Sequence, residues 1–156
     1  MVITMIDQNN YTIALNDFLR KCVSLYADYA EAHNLSYYEL LTLYILNRQE
    51  RVTQKDVGIM FCIPKQSVSR VAQGLKSKAF IEFSPSESDR REKDITLTEA
   101  GREFVKESIA PLVQIEAEIF DAIGAEKIKQ SIDEANSLLE RMSDGMKSAT
   151  EKFKAR

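Results

Sequence analysis

Few residues in this 156-residue chain carry the side chains that catalysis needs. There is one histidine, His33, and the two cysteines, Cys22 and Cys62, lie far apart. No serine or cysteine stands in a triad-like motif, and no glycine-rich loop opens a helix to cradle a phosphate. One histidine with two distant cysteines lacks the spacing of a zinc site. No enzyme activity, metal or cofactor is therefore expected. A polar face carries more information. Between Lys65 and Lys78 the residues Gln66, Ser69, Arg70, Gln73 and Ser77 recur on one side of a helix, while Val68, Val71, Ala72 and Leu75 share the other. A helix that presents short donors and acceptors beside a cation has the equipment to read base edges in the major groove of DNA. The plainer alternative is a solvated surface face.

Charge distribution favours the first reading. The net charge is -3, which taken alone argues against nucleic acid. From 51 to 79, however, six cations (Arg51, Lys55, Lys65, Arg70, Lys76, Lys78) meet one carboxylate, Asp56, a local +5 that leaves -8 for the rest. A basic centre between acidic arms is the asymmetry expected of a polyanion-binding module. Two isolated cysteines suit a reducing compartment. Met1 to Gln8 has no signal-peptide pattern, and no apolar run is long enough to span a membrane, so a cytoplasmic location without membrane contact is expected.

The elements that position this face follow from periodicity. Leu15, Phe18, Cys22, Leu25, Tyr29 and Ala32 alternate steps of three and four, one stripe of a long helix. Ser36 and Glu39 have capping-box spacing, and a second helix runs from there towards Arg48. Thr53 to Asp56 is a weaker cap, opening a short helix with Val57 and Met60 inward. Pro64 marks the start of the polar-faced helix. Phe80 to Phe83 and Ile95 with Leu97 read as strands around a polar, turn-rich connection, which makes a hairpin. Thr98 opens another helix, bent near Pro111. Last, Ile128, Ile132, Ala135, Leu139, Met142, Met146, Ala149 and Phe153 form a heptad seam with charged flanks, able to pack on a helix of its own chain or of a partner.

Two short helices followed by a hairpin make a winged helix-turn-helix. The fold expected is mainly α with a small β-hairpin wing: an N-terminal dimerisation arm (1–35), a winged helix-turn-helix DNA-binding domain (36–100) and C-terminal dimerisation helices (101–156). Ser67-Val68-Ser69-Arg70, then Asp89-Arg90-Arg91, then Ile95-Thr96-Leu97-Thr98-Glu99-Ala100-Gly101 resemble the MarR family of transcriptional regulators. The resemblance implies a homodimer with intertwined terminal helices, each subunit placing a recognition helix and a wing on one half-site of a pseudo-palindromic operator. Lys65, Gln66, Ser67, Ser69, Arg70 and Gln73 then belong to the recognition helix. Asp89 and Arg91 are the wing pair, the carboxylate orienting the arginine in the minor groove, and Arg90 meets phosphate. Two positions depart from the family. Ala79 stands where glycine is usual, so it either adopts a strained left-handed conformation or the turn differs. Phe83 stands where arginine is frequent, so one backbone contact is missing.

The family likeness also implies a switch, most often repression relieved by a ligand. Tyr26, Tyr29, His33, Tyr37 and Tyr44 are candidates to line a pocket for a small aromatic or anionic effector, against the bland alternative that aromatics at helical spacing are core. Cys22 with Tyr26 and Tyr37 resembles the peroxide-sensing branch, against the alternative of a small buried hydrophobe. Cys62 is expected to be structural. A winged-helix protein-interaction module that binds no DNA is the remaining rival, and the basic helix face with the wing arginines speaks against it.

Overall fold

The structure is a computed structural model and describes residues 8–85 and 93–154. In chain order the elements are α1 (Gln8–Ala32), α2 (Tyr37–Leu46), β1 (Val52–Thr53), α3 (Gln54–Met60), α4 (Lys65–Ser77), β2 (Ile81–Pro85), β3 (Lys93–Leu97), α5 (Glu99–Ile123) and α6 (Ala125–Lys154). They form two compact units, Met1–Pro111 and Leu112–Arg156.

In the first unit each helix start uses the cap its sequence supplies. Ser36 and Glu39 satisfy one another's backbone at the head of α2. Thr53 and Asp56 do the same for α3, Thr53 N–H donating to Asp56 Oδ2 at 2.8 Å and Asp56 N–H to Thr53 Oγ1 at 3.1 Å. The weaker cap is thus a complete one, because a carboxylate one carbon shorter than glutamate still reaches the N-cap amide. Three helix ends share another device. After α1, α3 and α4 the chain turns through Asn34 (φ 56), Cys62 (φ 51) and Ala79 (φ 58). At each, the following amide bonds five residues back: Leu35 to Ala30, Ile63 to Gly58 and Phe80 to Leu75. These are left-handed helix terminations made without glycine, the conformation that Cβ crowding disfavours. Ala79 therefore takes the strained member of the two alternatives its sequence position allowed.

Around this skeleton α1 packs on α2, α2 on α4 and α3 on α4. Leu40, Leu43, Val57, Val68, Leu75, Ile81, Ile95 and Ile109 are buried among them. Strands β2 and β3 pair antiparallel, with Ile81 opposite Leu97 and Phe83 opposite Ile95. A further strand, β1, lies on the free edge of β3, with Val52 opposite Ile95. Two residues show no periodicity, so β1 exists only by virtue of its partner. Some expectations need correction. Helix α2 stops at Leu46 rather than near Arg48, and Met60 is exposed instead of facing inward, since the left-handed turn at Cys62 ends α3 before it packs. Helix α5 runs from Glu99 to Ile123 with Pro111 inside it.

The motif Leu97-Thr98-x-x-Gly101 has a clear physical purpose. Thr98 Oγ1 donates to the Ala79 carbonyl at 2.6 Å and accepts from Gly101 N–H at 2.9 Å. Thr98 N–H donates to the Phe80 carbonyl at 3.1 Å. A Cβ on Gly101 would lie 1.9 Å from that same carbonyl oxygen, so only glycine lets the first turn of α5 approach the end of α4 so closely. Phe80 and Phe104 stack beside it, ring centres 4.2 Å apart.

The second unit consists of the end of α5, a turn at Gly124 (φ 95) and α6. None of the described residues of α6 is buried. Along its heptad seam Ile132, Leu139, Met146 and Phe153 are all more than half exposed, Phe153 by 80%.

Opposite effects on stability are expected from two single-residue changes at the α4–α5 junction. Ala79→Gly relieves the left-handed turn and stabilises the fold by about 1 kcal/mol. Gly101→Ala forces backbone against backbone and costs more than about 2 kcal/mol. Urea titrations followed by circular dichroism measure both, and wild-type behaviour of Gly101→Ala would contradict the junction geometry.

Candidate nucleic-acid interface

Helix α4 has the amphipathic burial its sequence requires. Val68, Ala72 and Leu75 are buried, with relative exposure of 1% or less, and Val71 is half-buried. Lys65, Gln66, Arg70 and Gln73 are exposed on the other side, and Ser67 and Ser69 are half-buried at its margins. The structure thus gathers the six predicted recognition residues on one helix with their functional groups at or near the surface. Ser77 folds back, its hydroxyl donating to the Gly74 carbonyl at 2.7 Å.

Besides its buried apolar face, α4 is tethered by an ion pair between a buried carboxylate and an exposed lysine. Glu39 on α2 is only 6% exposed, and Lys78 Nζ donates to both of its oxygens at 2.8 Å. Gly74 makes room for it, since a Cβ there would meet Glu39 Oε1 at 2.3 Å. The same carboxylate accepts from Ser36 N–H at 2.7 Å, so one group caps α2 and tethers α4. Burial pushes the Glu39 carboxyl up, but the hydrogen bonds from Lys78 and Ser36 and the Lys78 charge outweigh it and hold the group below its ordinary value of 4.5.

The predicted wing-tip residues Asp89, Arg90 and Arg91 lie outside the described residues. The base of the hairpin is described. Arg51 pairs with the buried Asp94 at 3.6 Å, joining the β1 edge to β3. Phe83, in place of the expected arginine, is half-buried and carries the Lys76 ammonium over its ring at 5.3 Å. A cation thus remains at this edge, supplied by the helix instead of the strand. Sequence reading did not single out Lys55 and Lys93 as site residues. With Lys65 they line a cleft of about 690 Å³ between α3, α4 and β3. Lys55 already belonged to the basic run, but Lys93 is separated from it in sequence and is brought close only by strand pairing.

None of the five effector candidates lines this cleft. Tyr29 donates to the Ser108 carbonyl at 2.8 Å, tying α1 to α5, and stacks on His33 with ring centres 4.4 Å apart. His33 Nδ1 lies 2.8 Å from the Tyr29 carbonyl, which can only accept, so the proton is on Nδ1. Tyr37 packs edge-on against Tyr38, and Tyr44 lies under Arg48. Tyr26 is half-buried. Burial raises the Tyr29 hydroxyl, and burial, then the charges of Tyr38 and Cys22, raise that of Tyr37. Cys22 is half-buried beside Tyr37. Cys62 is exposed, and its place is set by the turn conformation rather than by packing. Among the described residues no His, Cys, Asp and Glu cluster is arranged to hold a metal, and no helix is long and apolar enough to cross a membrane.

A polar-faced second helix, buttressed from behind and followed by a hairpin closing a three-stranded sheet, defines a winged helix-turn-helix protein. Residues 35–93 match the MarR family. A curated relative, the HTH-type transcriptional regulator SarZ of Staphylococcus haemolyticus, is 22% identical over 82 residues, spanning 53% of this chain and 56% of the relative, so the match covers about half the relative's length. Among solved structures, a MarR family regulator from Neisseria meningitidis superposes with a TM-score of 0.77 at 24% identity, covering 89% of this chain and 98% of that one. The S. aureus MepR–DNA complex gives 0.67 at 19% identity, covering 85% and 97%. Over residues 35–93 the chain is thus similar to the MarR family, and its fold is that of solved MarR regulators.

The lowered carboxyl of Glu39 sets an acid limit on stability. A group held below its ordinary value stabilises the fold above pH 4.5, and that contribution is lost as pH falls through the lowered folded value. Chemical denaturation at a series of pH values is expected to show this loss in the wild type and a shallower slope in Glu39→Gln. At neutral pH Glu39→Gln is expected to cost about 1–2 kcal/mol.

Proposed function

We propose that this chain is a sequence-specific, double-stranded-DNA-binding transcriptional regulator that acts as a homodimer in the cytoplasm. The observation that carries the reading is the outward face of α4, with Lys65, Gln66, Arg70 and Gln73 exposed on a helix fixed by the Glu39–Lys78 pair. A helix pinned by its neighbours presents base-reading side chains without a further ordering cost. Lys55 and Lys93, which line one cleft with Lys65, extend the cationic surface beside α4 and supply phosphate contacts. Asp89, Arg90 and Arg91 carry the wing role that the family resemblance implies. A MarR-fold protein solved bound to DNA supports this use of the fold.

Exposed apolar surface supports the dimer. Phe18, Leu19, Val23 and Leu25 on α1, and separately Leu139, Met142 and Met146 on α6, are open to solvent in the single chain. Monomers rarely leave so much contiguous apolar surface uncovered, and a heptad seam fits a second helix. The terminal segments 1–35 and 101–156 are the dimerisation arms in this reading. Repression relieved by a small effector is its finer form. Half-burial of Cys22 beside Tyr37 favours a second form, in which peroxide oxidises the Cys22 thiolate.

Electrophoretic mobility shift on the DNA upstream of the chain's own gene tests the reading. Binding should weaken steeply with salt, and Arg70→Ala should lose about 5- to 150-fold in affinity. Light scattering should give twice the chain mass. A dimer that binds no duplex even at low salt would end the DNA-binding proposal. Oxidant sensitivity that survives in Cys22→Ser would remove the thiol form.

A further inference from the structure

We infer that Lys76 is a phosphate-contacting residue of the DNA-binding face and that Phe83 is the residue that positions it. This assignment rests on the DNA-binding proposal and adds to it a contact at the C-terminal end of α4, built from two elements together.

An α-helix with its side chains is about 10–12 Å across, close to the width of about 12 Å of the major groove. A helix seated there turns its central face to the base edges, and its flanks abut the sugar-phosphate walls. Gln66, Arg70 and Gln73 occupy the central face of α4. At about 100° per residue, Lys76 lies roughly 80° to one side of them, and Lys65 falls on the same flank. On the opposite flank, Lys78 is already committed to the buried carboxylate of Glu39.

Lys76 is held without being neutralised. Its ammonium sits 5.3 Å from the centre of the Phe83 ring, and among the described residues no carboxylate pairs with it. Phe83 is a firm platform, half-buried in β2 opposite the fully buried Ile95 of β3. Glu82, the adjacent carboxylate on β2, is exposed on the other face of the strand. An aromatic ring attracts a cation through its quadrupole and carries no net charge. It therefore orients the ammonium while leaving its charge and its three N–H donors for a phosphate. A carboxylate in the same place would have cancelled that charge. Arg51, Arg102 and Lys106 are in that other condition, paired with Asp94, Glu99 and Glu103.

The position also meets a local electrostatic need. Helix C-termini carry partial negative charge, which repels a phosphate strand. Lys76 is the basic residue in the last turn of α4. With Lys78 spent on Glu39, Lys76 reverses the sign at that end.

The test uses the full chain and two duplexes, the DNA upstream of its own gene and an unrelated duplex of equal length. Affinity is measured by fluorescence anisotropy over a range of salt. Lys76→Gln should weaken binding to both duplexes alike and make the slope of log K against log salt shallower by about 0.9 for each bound subunit. Phe83→Leu keeps the charge and loses the platform, so affinity should fall about two- to fivefold at an unchanged slope. Phe83→Tyr, which keeps the ring, should retain wild-type affinity, and Phe83→Leu should cost nothing further in the Lys76→Gln background. In the DNA-free protein, NMR should show the Lys76 ε-methylene protons shifted upfield by the ring in wild type and Phe83→Tyr, but not in Phe83→Leu. A wild-type slope in Lys76→Gln would overturn the phosphate contact. An equal loss from Phe83→Leu with and without Lys76, or no upfield shift in the wild type, would overturn the positioning role. A wild-type chain that binds neither duplex at low salt would overturn the contact together with the DNA reading, which separates that failure from the first.

Discussion

The carbonyl groups of Ala79 and Phe80 are where the winged-helix unit is joined, and most of its geometry depends on that contact. Helix α4 ends there in a left-handed turn, β2 begins one residue later, and the first turn of α5 closes over both through Thr98 and Gly101. A backbone-to-backbone approach of this kind tolerates almost no change in length, because neither side has a flexible side chain to give way. Helix α4, the start of β2 and the first turn of α5 are thereby fixed relative to one another by a few hydrogen bonds and one missing Cβ.

Glu39 performs the matching task on the other side of α4. A single carboxylate satisfies the head of α2 and, with Lys78, the tail of α4, and Gly74 leaves the space for it. Burying a charge in this way is costly unless every lone pair finds a donor, and here the donors come from two helices. The result is specificity of placement more than raw stability.

Charge is organised to the same end. The acidic excess lies in the long helices, and the basic centre contributes Lys55, Lys65, Arg70 and Lys76 around α4. Phe83 shows how a local substitution can preserve the pattern: the strand lacks a cation, yet its ring supports the one on Lys76.

Much of this was legible in the residues alone wherever the determinant is local. Helix caps at Ser36 and Thr53, the two faces of α4, the hairpin strands and the heptad of α6 follow from spacing, because side chains three, four or two positions apart must share a face. The winged helix-turn-helix was therefore predictable from order and period. Strand β1, the outward turn of Met60, the Glu39–Lys78 tether, the arrival of Lys93 beside Lys65 and the packing of Tyr29 against His33 and Ser108 were not. Each joins groups distant in sequence, or depends on where a neighbouring element stops, and no periodicity records that. Gly101 shows both sides at once: its position could be read from the motif, but the reason for it, a carbonyl oxygen where a Cβ would be, was decided only when the chain folded.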